Sequence, residues 1–132
     1  MQSKEKRLER KISLTTEARD GILSFCKMNH PNECILILRG KAKRGNVFID
    51  GLVVPPFSET GADFAMFPNN PLPLDLSYVG IVHSHPVGSA EPSSTDLNNF
   101  FGLVSMIVKS PYEDDDIFAW DSNGDEIPFV VV

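Results

Sequence analysis

Two histidines separated by one residue, His83 and His85, and an aspartate on the segment that follows, Asp96, are the side chains of this sequence best suited to hold a metal ion. Gly80-Ile81-Val82 ahead of them is a short β-prone run, and residues two apart on a strand point to the same face, so both imidazoles can converge on one ion. Pro86 ends the strand and Val87-Gly88-Ser89-Ala90-Glu91-Pro92 has the composition of a loop. Ser93-Ser94-Thr95-Asp96, ahead of Leu97, Phe100 and Phe101, is a helix start with a side-chain acceptor at its cap. Asp96 then sits on the first helical turn and reaches back over the strand end. Two imidazoles and a carboxylate suit zinc, and three protein ligands leave the fourth tetrahedral position to water, as in catalytic rather than structural sites. A single strand histidine is ordinarily a packing or surface residue. Two at this spacing, followed by proline, a loop and an acidic helix start, favour the metal.

The elements that must position these residues follow from the pattern on either side. Ile12-Ser13-Leu14 leads to Thr15 or Thr16 as a helix cap, with Ala18, Ile22, Phe25 and Cys26, then the polar Asn29, at helical spacing, and the helix is expected to stop at His30-Pro31. Glu33 to Arg39 is a nearly continuous apolar run opened by a carboxylate, the pattern of a strand covered on both faces. Lys41 to Gly45 reads as a basic turn, and Asn46 to Val54 as a second strand, with Asp50-Gly51 marking a bulge and Pro55-Pro56 ending it. Residues 55–78, with prolines at 55, 56, 68, 71 and 73, form the least regular connection, and so long a one is usually functional. Leu103 to Val108 is a buried strand, and Pro111 with Glu113-Asp114-Asp115-Asp116 a solvated loop. Ile117 to Trp120 and Ile127 to Val132 read as a hairpin around Ser122-Asn123-Gly124-Asp125. Strands interleaved with two helices give an α/β domain on a mixed sheet, without repeats.

A chain of 132 residues is enough for one domain with a real core. Its net charge of -6 argues against nucleic acid as the main partner, because phosphate binding needs a basic footprint. No apolar run reaches the roughly 18 residues of a membrane span, and the polar N-terminus lacks a secretory signal, so a soluble cytoplasmic protein is expected. Residues 1–11, rich in Lys and Arg, are expected to be a flexible charged arm preceding a single domain over 12–132. Cys26 and Cys34 lack CxxC spacing and read as buried core thiols.

The pattern His83-x-His85-Pro86, six residues, Ser93, two residues and Asp96, with Pro31-Asn32-Glu33 upstream, resembles the motif of the JAMM (MPN-plus) metalloprotease family. The resemblance runs from about Ile12 to the final strands. It implies a curved mixed sheet flanked by helices, related to the cytidine deaminase fold, and one zinc per chain on His83, His85 and Asp96. It implies Glu33 as the catalytic glutamate that moves protons between water and leaving amine, and Ser93 as donor to the developing oxyanion, a role in competition with helix capping. Ser84, between the ligands, faces away from the ion as packing or support. The activity implied is that of a zinc isopeptidase that cleaves ubiquitin-like modifiers, or sulfur-carrier homologues of them, from lysine-linked conjugates after a C-terminal Gly-Gly. Residues 55–78 would border the substrate groove, making Phe57, Met66 and Phe67 candidates for touching the modifier.

Rival chemistries lack residues they need. A zinc nucleobase deaminase requires His-x-Glu and a Cys-x-x-Cys pair, neither of which accompanies His83-Ser84-His85. An amidohydrolase barrel requires about 250 residues. A non-catalytic MPN scaffold characteristically lacks part of the ligand set, whereas Glu33, His83, His85, Ser93 and Asp96 are all present. The enzymatic alternative is a hydrolase of a small amide or peptide conjugate. Action alone, as a dimer or on a proteasome-like partner is equally compatible with the sequence.

Overall fold

A computed structural model of the chain describes residues 10–55, 59–60, 65–66 and 76–132. In chain order these are β1 (Lys11–Leu14), α1 (Thr16–Asn29), β2 (Ile35–Lys43), β3 (Asn46–Val53), β4 (Glu59–Thr60), β5 (Ala65–Met66), β6 (Tyr78–His85), α2 (Ser94–Asn98), β7 (Val104–Lys109), β8 (Ile117–Trp120), β9 (Glu126–Ile127) and β10 (Phe129–Val131), with a 3-10 turn over Asp114–Asp116. Among the described residues β4 and β5 pair only with each other, and the other strands form one mixed sheet in the order β10-β1-β3-β2-β6-β7-β8-β9. Its outermost strands, β9 and β10, are separated in the chain by Pro128 alone, so the sheet curls until its two edges nearly meet.

β6 lies inside this sheet, antiparallel to β2 and parallel to β7. Alternation along it divides the molecule into two faces. Val82 and Ser84 point to the main core, where Ala18, Ile22, Leu23 and Cys26 of α1 meet Leu36, Leu38, Ile49 and Met106. Each Leu, Ile or Met among them, fully buried, stabilises the fold by about 1.5–3 kcal/mol. Ile81, His83 and His85 point the other way, beside Ile35 and Ile37 of β2 and Ile107 of β7. α1 begins where expected, with Thr15 accepting the N–H of Ala18 at 3.0 Å, and ends before Pro31, with the His30 N–H on the Cys26 carbonyl at 3.1 Å. Cys26 and Cys34 are buried free thiols with their sulfurs 3.6 Å apart.

The structure corrects several boundaries. Lys11 already belongs to β1, and the Arg10 guanidinium donates to the Leu103 carbonyl at 2.8 Å, so the sheet begins ahead of Ile12; residues 1–9 of the expected arm lie outside the described residues. β2 continues through Lys43, and the turn shrinks to Arg44-Gly45, both at positive φ (53° and 84°), the geometry that joins twisted strands by two residues. The expected bulge is present: Arg39 pairs with Gly51 and Gly40 with Ile49, which leaves Asp50 as the extra residue. The final hairpin is shorter than its apolar run suggests. Only Glu126–Ile127 pair with β8, and after Pro128 the chain adds β10 to the opposite edge, parallel to β1. Nor is the acidic loop wholly solvated, since Asp116 is buried, bound to Lys109 Nζ at 3.0 Å and to the Glu113 N–H at 2.8 Å. Of Phe57, Met66 and Phe67, only the backbone of Met66, in β5, is among the described residues. No helix among the described residues is long and apolar enough to cross a membrane.

Candidate metal centre

His83 and His85 occupy the C-terminal end of β6, on the face away from α1. His83 is buried against an apolar floor of Ile35 and Ile107, its register partners on the flanking strands. Their Nε2 atoms lie 3.2 Å apart. Asp96 arrives from above: one carboxylate oxygen is 3.2 Å from His83 Nε2 and the other 3.2 Å from His85 Nε2.

Local structure fixes each ring and the carboxylate. His85 Nδ1 sits 2.8 Å from the Ser89 carbonyl, an acceptor only, so that nitrogen carries the proton and a neutral His85 turns the lone pair of Nε2 toward the other two residues. Asp96 is held by a capping box at the start of α2. Its carboxylate accepts the Ser93 N–H at 2.8 Å, and its own N–H donates to Ser93 Oγ at 3.0 Å. The cap thus uses an oxygen lone pair of Ser93, not the hydroxyl hydrogen, so capping and donation to an oxyanion do not exclude one another. Burial disfavours the charge of Asp96, but its close contacts with His83 and His85 and the Ser93 N–H outweigh it and hold the carboxyl well below the usual carboxylate range. For His85, burial lowers the pKa, yet the bonds to Asp96 and the Ser89 carbonyl, with the charges of Asp96 and Glu33, raise it above its ordinary value.

Glu33 lies two residues before the start of β2. Continuing the pairing of Ile35 with His83 by two residues puts Glu33 across from His85, on the ligand face, which accords with its electrostatic influence on that histidine. All five sequence-predicted residues therefore gather at one end of the β2–β6 pair.

Whether His83, His85 and Asp96 suit a metal can be tested on their spacing. Ligand atoms about 2.0–2.1 Å from a tetrahedral zinc stand about 3.3–3.4 Å from one another. The separations of 3.2 Å come close to that, although Asp96 offers a different oxygen to each ring. Two ring nitrogens at this distance, with an anionic carboxylate against both, form a preassembled donor set, and the residues fit the ion.

Two parts of the site escaped sequence reasoning. The Ser89 carbonyl that orients His85 is backbone and carries no side-chain signal. Ser84 does more than fill space: its buried Oγ accepts the N–H of Cys34 at 3.0 Å, next to Glu33. Alternation showed that it points away from the ion, but not what it meets there.

A model of the family described as prokaryotic homologs of the JAB domain matches residues 15–123. A probable metalloprotease of Haloferax volcanii is 35% identical over 127 residues, spanning 86% of this chain and 75% of that protein. Among solved structures, a JAB1/MPN domain protein from Archaeoglobus fulgidus aligns with a TM-score of 0.67 at 30% identity, over 92% of this chain and 98% of that one. Another, described as a JAMM metalloprotease-like zinc site in the proteasome and signalosome, aligns with a TM-score of 0.66 at 29% identity, over 94% and 98% of the two chains. The matched span takes in the whole set from Glu33 to Asp96, and with it the chain belongs to the prokaryotic JAB-domain homologues, a JAMM-type, metalloprotease-like family.

Proposed function

We propose that the protein is a zinc-dependent isopeptidase that releases a ubiquitin-like modifier, or a sulfur-carrier homologue, from lysine conjugates after the modifier's C-terminal Gly-Gly. The observation that carries the reading is the triangle of His83, His85 and Asp96, with edges of 3.2 Å and Glu33 beside it on the same face. His83, His85 and Asp96 would hold the ion. Bound there, zinc supplies Lewis acidity, polarising a carbonyl and bringing the pKa of a water to about 7.

The rest of the chemistry falls to the chain. Glu33 accepts the proton of the attacking water and delivers it to the leaving lysine amine, work that typically contributes 10²–10⁴-fold. Ser93, whose oxygen caps α2, turns its hydrogen toward the carbonyl oxygen as charge develops, a donation worth about 2.7–4 kcal/mol where it has been removed from comparable sites. Asp96 stays ionised, and the Ser89 carbonyl keeps the proton of His85 on Nδ1, so that ring turns no N–H toward the reaction. The apolar floor of Ile35 and Ile107 limits water beneath His83 and strengthens these interactions. A tail ending in glycines offers no side chain near the scissile bond, so backbone pairing must supply its register.

The test is incubation of the purified protein with candidate modifier conjugates, with and without chelator, and product identification by mass spectrometry. Cleavage after Gly-Gly that stops with chelator is the expected result. Hydrolysis restricted to small amides would transfer the site to the alternative class, and absence of bound zinc with no cleavage would make the chain a scaffold.

A further inference from the structure

We propose that Ser84 is a positioning residue that sets the reach of Glu33 toward the reacting water; the inference rests on Glu33 being the proton shuttle of the proposed function. In an antiparallel pair facing residues alternate between pairs that exchange both backbone bonds and pairs that exchange none, and Cys34 and Ser84 stand at a position of the first kind. Ser84 and Cys34 complete only one in that way, Ser84 N–H to the Cys34 carbonyl at 3.0 Å. For the other, the Cys34 N–H turns to Ser84 Oγ, at 3.0 Å. The path of the chain into β2 is therefore set by a side chain, and the residue one step further out is Glu33.

Burial sharpens this. Ser84 is 0% exposed and Cys34 2%. A hydroxyl in an apolar core is costly unless it is bonded, and here its neighbours are the Cys34 N–H and the Cys34 sulfur at 3.5 Å. Because Ser84 separates the two histidines and points away from them, it touches neither ion nor substrate. One hydroxyl thereby ties the segment that carries the base to the strand that carries two ligands, from behind. If Ser84 only filled space, alanine would serve nearly as well, with the Cys34 N–H moving to the Ser84 carbonyl.

The experiment compares zinc-loaded wild type with Ser84→Ala, Ser84→Thr and Cys34→Ala, all checked for folding by circular dichroism and for one zinc per chain. In crystal structures of the loaded proteins, Ser84→Ala should move the Glu33 carboxylate by about 1 Å or more relative to His83, His85 and Asp96, and Ser84→Thr should return it. A displacement of that size can cost on the order of 10²-fold, so kcat for conjugate cleavage should fall about 100-fold in Ser84→Ala with KM within about twofold of wild type. Cys34→Ala, which keeps the backbone N–H, should stay within about threefold. In a Glu33→Gln background, Ser84→Ala should add nothing. An unmoved carboxylate, an unchanged kcat or an equal loss with and without Glu33 would overturn the proposal. If Ser84→Ala does not fold, Ser84→Cys under reducing conditions takes its place, since a thiol keeps the volume but accepts weakly. Wild type that cleaves no conjugate would overturn the isopeptidase reading, while the carboxylate position still decides what Ser84 does.

Discussion

Replacing Asp96 by asparagine separates the two duties of that carboxylate. Asparagine keeps an oxygen for the Ser93 N–H, now at 2.8 Å, and its own backbone N–H for Ser93 Oγ, so the capping box survives and the metal-free protein loses only the charge that Asp96 offers His83 and His85. The anionic ligand is lost. At free zinc 1,000-fold above its Kd, binding stabilises the wild type by about 4.1 kcal/mol. A loss of affinity of about 100-fold, the upper end of what changes around a metal's ligands cost, leaves the same zinc only about tenfold above Kd, worth about 1.4 kcal/mol. With an unfolding entropy of about 2.1 cal/mol/K per residue, the 132 residues give about 0.28 kcal/mol/K, so zinc should raise the wild-type Tm by about 15 °C and that of the variant by about 5 °C. Differential scanning calorimetry of chelator-stripped protein, repeated at fixed free zinc, measures both shifts. Equal shifts in the two proteins would remove Asp96 from the ligand set, and no shift in the wild type would remove the zinc site itself.

Glu33→Gln should keep one zinc per chain while kcat falls by about 10²–10⁴-fold, as expected when a base is lost and its shape retained; zinc lost along with activity would make Glu33 a ligand instead. Exchanging either glycine of the modifier tail for valine should depress kcat/KM severely, because a β-branched residue does not fit where a bare backbone passes a narrow groove, and equal tolerance of both residues would refute the groove. Asp116 gives a pH dependence. Burial opposes its charge, but the Glu113 N–H and Lys109 outweigh it and hold its folded pKa below the ordinary value near 3.9. Its contribution is thus complete above about pH 4 and lost as pH falls through the folded pKa. Asp116→Asn should be destabilised by about 1–3 kcal/mol at pH 7 and by less at pH 3, in urea titrations; an undiminished difference at pH 3 would contradict the ion pair.

What the sequence disclosed follows the range of the interactions involved. His83 and His85 were legible because strand alternation is local, and the helix cap was narrowed to Thr15 or Thr16, of which the structure uses Thr15, because a cap is decided within one helical turn. Asp50-Gly51 signalled the bulge, whose extra residue is Asp50. β10 was misread because Ile127 to Val132 looks like one apolar strand, and its parallel partner β1 lies at the other end of the chain, where no neighbouring residue announces it. Asp116 was misjudged for a related reason. Four consecutive acids resemble a solvated run, and only Lys109, brought alongside by the β7–β8 pairing, gives the last of them a buried counter-ion. Ser93 illustrates a third limit, since its two roles draw on different parts of one hydroxyl that residue type alone does not separate.

The seam at Pro128 bears on the order in which the sheet comes apart. Ile12 pairs with Phe129, 117 residues further along the chain, whereas β2 and β3 are joined by a two-residue turn. Closing a loop of that length costs roughly 4 kcal/mol in chain entropy, and β10 offers only three residues in return. Val130 on it and Val132 just beyond it remain largely exposed. Opening should therefore start at β10, as in other proteins whose least-buried elements exchange first, and spread to β1 before it reaches the middle of the sheet. Between that fraying edge and the ligand strand stand β3 and β2, so His83, His85 and the segment bearing Glu33 keep their register while the seam breathes.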